Sequence, residues 1–226
     1  MTFPEFPTAG QVHLWVLEHR ASSSEFLCES EQKRLQSYHF EKDRDRYGFT
    51  QSCKRILLGR YLGISPQEVS FGESAKGKPL LEGLEFSISH TTGLSALAVA
   101  QDLVLGIDIE ERAPLPELTL LAQRIMTSLE WAHVSTLPEA ERVRAFYRLW
   151  TAKEAYLKNL GIGFEIEPHT IESNFPELTT VQAGGYPARF LLEKQFTQEI
   201  TFQLATETPI NDLVVFHVPK DENLPD

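Results

Sequence analysis

Between Val104 and Glu110 the chain alternates strictly, Val-Leu-Gly-Ile-Asp-Ile-Glu. In a β-strand such alternation sends Ile107 and Ile109 to one face and Asp108 and Glu110 to the other. Two carboxylates two residues apart then share a face, where like charges repel. A pair of this kind stays ionised near a core only with a positive charge between its members, or if one member stays protonated. A divalent hard cation meets the need. Magnesium suits it, taking one or two carboxylates and filling its other positions with water and substrate phosphates. A strand whose outer face is solvated is the competing reading of this stretch alone.

At 226 residues the chain can bury a real core as one large domain or two modest ones. No apolar run approaches the length of a membrane span and no charged-then-apolar leader follows Met1, so a soluble, unprocessed, cytoplasmic protein without a membrane partner is expected. Cys28 and Cys53 lack CxxC spacing and read as free thiols in a reducing compartment. A net charge of −11 argues against nucleic acid as the main partner. Yet from Lys33 to Arg60 eight basic residues stand against three acidic ones, a pattern that fits a small polyanion better than a polymer.

Taken in order, Gln11–His19 reads as a strand broken by Ser22–Ser24, and Glu31–Leu35 as a helix. A longer helix runs from about Asp43 to Leu62 and ends at Gly63, with Arg46 on the inward stripe of Thr50, Cys53 and Leu57. Glu73–Pro79 is a turn carrying Lys76 and Lys78 around Gly77, a residue that lets backbone come close to a ligand. In Glu85–His90, Phe86 and Ile88 face one way, Ser87 and Ser89 the other. Leu94–Ala100 is another apolar run, and the Gln101-Asp102 gap suggests a tight hairpin to the Val104 strand. Such a hairpin brings the Ser-His strand near the carboxylates.

Ala113–Glu117, with two prolines, is the plausible linker. Beyond it a helix from about Glu139 to Leu160 places Val143, Phe146, Tyr147, Trp150, Glu154 and Leu157 on one stripe. An unpaired carboxylate on such a face costs several kcal/mol or loses its charge. Lys158 is placed to pair with Glu154, but an exposed pair contributes only ~0.3–0.5 kcal/mol, too little to explain the position. A metal shared with Asp108 and Glu110 would explain it. A partly exposed ion pair is the alternative. Three strand-like runs follow (Arg189–Phe196, Ile200–Ala205, Leu213–Val218), antiparallel in appearance, then an acidic tail from Asp221 expected to be disordered. The fold class expected is α+β, two similar halves (residues 1–112 and 113–226) related by a pseudo-twofold, with the ligand site between them.

Taken together, Gly77-Lys-Pro79, Phe86-Ser-Ile-Ser-His90, Gly106-Ile-Asp-Ile-Glu110 and Trp150-Thr-Ala-Lys-Glu-Ala-Tyr-Leu-Lys158 resemble the ordered motif series of the 4′-phosphopantetheinyl transferases. The likeness is to the two-half monomeric type that activates surfactin synthetase, and runs roughly from Glu31 to Gly163. The resemblance implies transfer of the phosphopantetheine arm of coenzyme A to a serine of an apo acyl or peptidyl carrier protein, releasing adenosine 3′,5′-bisphosphate. It implies that Asp108, Glu110 and Glu154 hold Mg2+, that Glu154 takes the serine proton and that Lys158 steadies the pyrophosphate. Arg46, Lys76, Gly77, Lys78, Pro79, Ser89 and His90 then bind coenzyme A, with Arg34 a weaker candidate and Lys153 a support away from the substrate. The hydrophobic carrier-docking surface falls between Pro114 and Pro138, where Leu118, Leu121, Ile125, Met126 and Leu129 line a groove or pack inward. A magnesium-dependent coenzyme A pyrophosphohydrolase and a non-catalytic coenzyme A-binding module are the competing functions.

Overall fold

The computed structural model describes residues 2–20 and 24–224. β1 (Gln11–Glu18), α1 (Glu29–Ser37) and α2 (Glu41–Leu62) come first. Short β2 (Gly72–Glu73) and β3 (Pro79–Leu80) flank the lysine turn, and β4 (Glu85–Thr91), β5 (Leu94–Ala100) and β6 (Leu105–Glu111) follow. Then come α3 (Leu118–Ile125), α4 (Ser128–Val134) and α5 (Glu139–Leu160), and the strands β7 (Ile171–Ser173), β8 (Thr180–Ala183), β9 (Arg189–Gln195), β10 (Ile200–Thr206) and β11 (Asp212–Val218). The class is α+β, as expected. Of the break anticipated at Ser22–Ser24, Ser22 and Ser23 lie outside the described residues.

One sheet is ordered β11-β1-β5-β4 and the other β6-β10-β9-β8-β7. The hairpin expected between β5 and β6 does not form. β5 already has β1 on one edge and β4 on the other, so no edge is left for β6, which pairs instead with β10. The Gln101-Asp102 gap hands the chain from one sheet to the other. β4 and β6 still run side by side, joined by side chains: Ile107 N donates to Ser87 Oγ at 3.0 Å and Glu111 N to Thr91 Oγ1 at 2.9 Å. β11 also departs from the antiparallel expectation, returning to the first sheet parallel to β1.

Three clusters of apolar side chains fix the layers. Phe49, Cys53, Leu57 and Leu58 seat α2 on Trp15, Phe86 and Leu97 of the first sheet. Ala152, Ala155 and Tyr156 seat α5 on Val181, Ala183 and Ala205 of the second. Between the sheets, Val12, Leu14 and Val16 meet Ile107, Ile109, Phe202 and Leu204. Full burial of an isoleucine contributes roughly 1.5–3 kcal/mol, so Ile107 and Ile109, both fully buried, hold β6 with its carboxylates turned toward α5. The acidic tail is not free throughout its described part. Leu224 is buried in the α2 cluster, because an apolar side chain gains by covering Trp15 and its neighbours, while Pro225 and Asp226 lie outside the described residues.

α5 lies directly on β6, and Gly106 is the reason it can. A Cβ there would stand 2.2 Å from both Ala155 O and Asn159 N. Asn159 pins the contact, its Nδ2 donating to Val104 O at 2.8 Å and Ala205 O at 3.1 Å. Both 22-residue helices end on a left-handed glycine, Gly63 after α2 and Gly161 after α5, a conformation that other residues adopt at a cost. Gly106→Ala is expected to lower the free energy of unfolding by at least about 1–3 kcal/mol. Urea denaturation checks this; unchanged stability would show that the helix-strand contact yields freely.

Candidate active site

The seam where β4, β6 and α5 meet brings together Asp108, Glu110, Glu154 and Lys158 of the charged residues singled out by the sequence. Asp108 faces α5 and is 4 % exposed, so the solvated-strand reading does not hold. Lys158 Nζ donates to Asp108 Oδ1 at 2.7 Å and to Ser89 Oγ at 2.8 Å, and Ser89 Oγ donates in turn to the same Asp108 oxygen at 2.7 Å. Lys158 therefore turns across the seam to Asp108, not back along α5 to Glu154 in the edge pair weighed from helical spacing. Burial decides this, since a carboxylate withdrawn from water needs a cation more than one at a helix edge.

Glu110 Oε1 accepts from Trp150 Nε1 at 3.0 Å. Two other carboxylate oxygens, Asp108 Oδ2 and Glu154 Oε1, are buried without a hydrogen-bond partner. Burial pushes Glu154 up to about 7, with the Asp108 charge adding to the shift and Lys158 opposing it. Burial and then Asp108 also raise Glu110, against the Trp150 hydrogen bond. The three acids thus feel one another. Among the described residues no three His, Cys, Asp or Glu side chains form a ready-made metal cluster; the cation seated on Asp108 is the Lys158 ammonium. The paired orphan oxygens nevertheless suit a hard cation, which takes oxygen donors and offsets mutual repulsion.

A cavity of about 240 Å³ opens beside these acids, lined by Lys76, Gly77, Lys78, Pro79, Glu154 and Lys158 among others. A second, of about 750 Å³, shares Gly77, Pro79, Phe86 and Ile88 with it and extends to Arg34, Lys54 and His90. The two form one groove across the β4 surface. Gly77, at φ +86°, gives the turn a conformation open mainly to glycine. Lys76 is exposed and pairs with Glu165. Lys78 contributes its stem to the groove, while its Nζ donates to Leu105 O and Asn159 O, each at 3.2 Å. Burial lowers its pKa, Glu85 opposing.

Arg46 starts from the beginning of α2, paired with Asp43 at 2.9 Å, with its charge felt at the His90 end of the groove. His90 is lowered by burial and then by Arg46. His19, which sequence reasoning did not single out, is lowered to about 4 by burial, then by His90 and Arg46. Nothing in the linear sequence marks His19, because its neighbours come from α2, β4 and β5, where Ser95 Oγ lies 2.8 Å from its Nε2. Lys54 and Arg55 of the basic segment turn inward to Glu31, and Arg34 lies over the Tyr47 ring at 5.6 Å. Lys153, fully buried, donates to Ile125 O, Glu130 Oε2 and Pro168 O at 2.7, 2.6 and 3.1 Å, tying α5 to its surroundings away from the groove. Of the candidate docking residues, Ile125 and Met126 are buried and Leu118 and Leu121 pack against the same core, whereas Leu129 is exposed.

With this geometry in hand, known proteins supply the family. Residues 18–102 match the N-terminal region of 4′-phosphopantetheinyl transferases and residues 104–215 match the 4′-phosphopantetheinyl transferase superfamily. The chain is 34% identical over 196 residues to the 4′-phosphopantetheinyl transferase HetI of Nostoc sp., covering 81% of this chain and 82% of that protein. It is 26% and 28% identical over 204 residues to the L-aminoadipate-semialdehyde dehydrogenase-phosphopantetheinyl transferases of Rattus norvegicus and Homo sapiens, covering 84% of this chain and 64% of each relative. Both halves of the groove, the β4 wall and the acids of β6 and α5, fall inside the matched segments, and the chain belongs to the 4′-phosphopantetheinyl transferase family.

Proposed function

We propose that the groove binds coenzyme A with its pyrophosphate at the β4–β6–α5 seam, and that the enzyme transfers the phosphopantetheine arm to a carrier-protein serine with divalent-metal dependence. The observation that carries this is the pair of buried, unpartnered carboxylate oxygens on Asp108 and Glu154, at the end of a groove lined by lysines and His90. Asp108, Glu110 and Glu154 would hold the magnesium, which when bound offsets charge on the pyrophosphate. Glu154 takes the proton as the serine oxygen bonds to the pantetheine-bearing phosphorus. Burial brings this carboxyl up to about 7 in the free protein; a bound cation would lower it and keep Glu154 ionised, ready to accept the proton. The bond from that phosphorus to the bridging oxygen breaks, and adenosine 3′,5′-bisphosphate leaves with the electron pair.

Lys158 stands beside both Asp108 and Ser89 and is placed to follow the developing charge on the leaving phosphate. Ser89 and His90 meet the phosphates from β4, with Lys76, Gly77 and Pro79 along the turn. Arg46, His90 and His19 take the 3′-phosphate. Lys78 holds the turn against the end of α5 and adds positive potential. The two halves, residues 1–112 and 113–226, are read as pseudo-twofold equivalents in one monomeric, cytoplasmic chain of the surfactin synthetase-activating type; paired 22-residue helices with the same glycine end support this.

Incubation with coenzyme A, magnesium and an apo carrier protein, followed by intact-mass measurement of the carrier, tests the reading. One added phosphopantetheine, lost with chelator, is expected; free phosphopantetheine in solution would indicate hydrolysis instead. Glu154→Gln is expected to slow transfer by about 10²–10⁴-fold while calorimetry finds coenzyme A binding within a few-fold of the parent. Equal loss of both would make Glu154 a ligand-binding residue only. Because His19 and His90 are held below their ordinary value in the free protein, an anion between them raises both and takes up protons. Affinity for coenzyme A should therefore rise as pH falls from 8 to 6. Dephospho-coenzyme A, lacking the 3′-phosphate, should show a flatter profile; identical profiles would place that phosphate elsewhere.

A further inference from the structure

Gln203 stands at the middle of β10, directly opposite Asp108 of β6. Its side chain is fully buried, and neither Oε1 nor Nε2 has a hydrogen-bond partner. Opposed residues of an antiparallel pair send their side chains to the same face, with Cβ atoms about 4.5–5.5 Å apart. Which face this is follows from the packing of their neighbours. Phe202 and Leu204, like Ile107 and Ile109, belong to the core between the sheets, so Gln203 and Asp108 turn together toward α5. The opposed pairs on either side are Gly106 with Ala205 and Glu110 with Thr201.

Asp108 Oδ2, Glu154 Oε1 and both ends of the Gln203 amide are thus buried polar atoms left unsatisfied. The carboxylate oxygens accept, the Gln203 oxygen accepts, and Nε2 alone supplies protons. An apolar side chain of the same length would fill this space without leaving unsatisfied atoms. A glutamine at the position has a reason only in a state where its amide is used.

We propose that Gln203 is a positioning residue for Asp108. Its Nε2 donates to Asp108 Oδ2 from the β10 side, as Ser89 and Lys158 hold Oδ1 from the β4 and α5 sides. One lone pair of Oδ2 is then left for the cation, and the carboxylate is fixed on three sides. The inference rests on the reading of Asp108 and Glu154 as cation ligands.

Three proteins separate the cases: the parent chain, Gln203→Met and Asp108→Asn. For each, Mn2+ affinity is measured by calorimetry and stability by urea unfolding, with Gln203→Leu as a second apolar replacement should Gln203→Met fail to fold. The parent should bind one Mn2+ and Asp108→Asn should lose it. The apolar Gln203 variant should unfold at the parent's urea midpoint or above, and bind Mn2+ about 10–100-fold more weakly. An unchanged Mn2+ affinity, or loss of the fold in both apolar variants, would overturn the role of Gln203 while leaving the ligand reading intact. A parent that binds no Mn2+ would overturn the ligand reading and this inference together.

Discussion

The contact between Lys158 and Asp108 is the interaction on which the site depends. A surface ion pair contributes at most about 1 kcal/mol, but a buried carboxylate with no cation costs several. Asp108 is therefore tolerable under α5 only because Lys158 reaches it from one turn beyond Glu154. That reach in turn requires α5 to lie on β6, where Gly106 leaves no Cβ in the way and Asn159 ties helix to strand. Glycine, asparagine and lysine act together: the first permits the approach, the second holds it, and the third balances its charge.

Lys158 covers only one oxygen of one acid. Asp108 Oδ2 and Glu154 Oε1 remain without partners, and burial brings Glu154 to about 7, with repulsion from Asp108 and Glu110 adding to the shift. Such a site is poised. A bound cation would relieve the repulsion, and a proton on Glu154 would relieve it too, so in the proposed function the same strain would serve binding and proton transfer. The basic residues are placed differently. Lys54 and Arg55 neutralise buried Glu31, and Lys78 has its ammonium on two backbone carbonyls, so the local excess of positive charge is partly spent within the protein before any ligand arrives.

Local pattern carried much of this into view from sequence. The alternation around Asp108, the helical stripe containing Glu154 and the glycine ends of α2 and α5 all depend on neighbours in the chain, and these elements stand where periodicity puts them. What could not be read is what distant strands decide. The edges of β5 were already taken by β1 and β4, which no feature of Gln101-Asp102 discloses. The return of β11 beside β1 likewise depends on packing against residues two hundred positions away. His19 and Gln203 were missed for the same reason: each acquires its meaning from a residue on another element, His90 in one case and Asp108 in the other. The contact of Lys158 with Asp108 is likewise hidden in the sequence, because helical spacing displays Glu154 and not a residue of β6.

The central claim is that the two unpartnered oxygens form a cation site at the seam. Anomalous diffraction from crystals grown with Mn2+ and coenzyme A tests it most directly. The account predicts one anomalous peak touching both Asp108 and Glu154, beside the pyrophosphate. A pyrophosphate in the groove with no peak there, or with manganese bound only elsewhere, would contradict it.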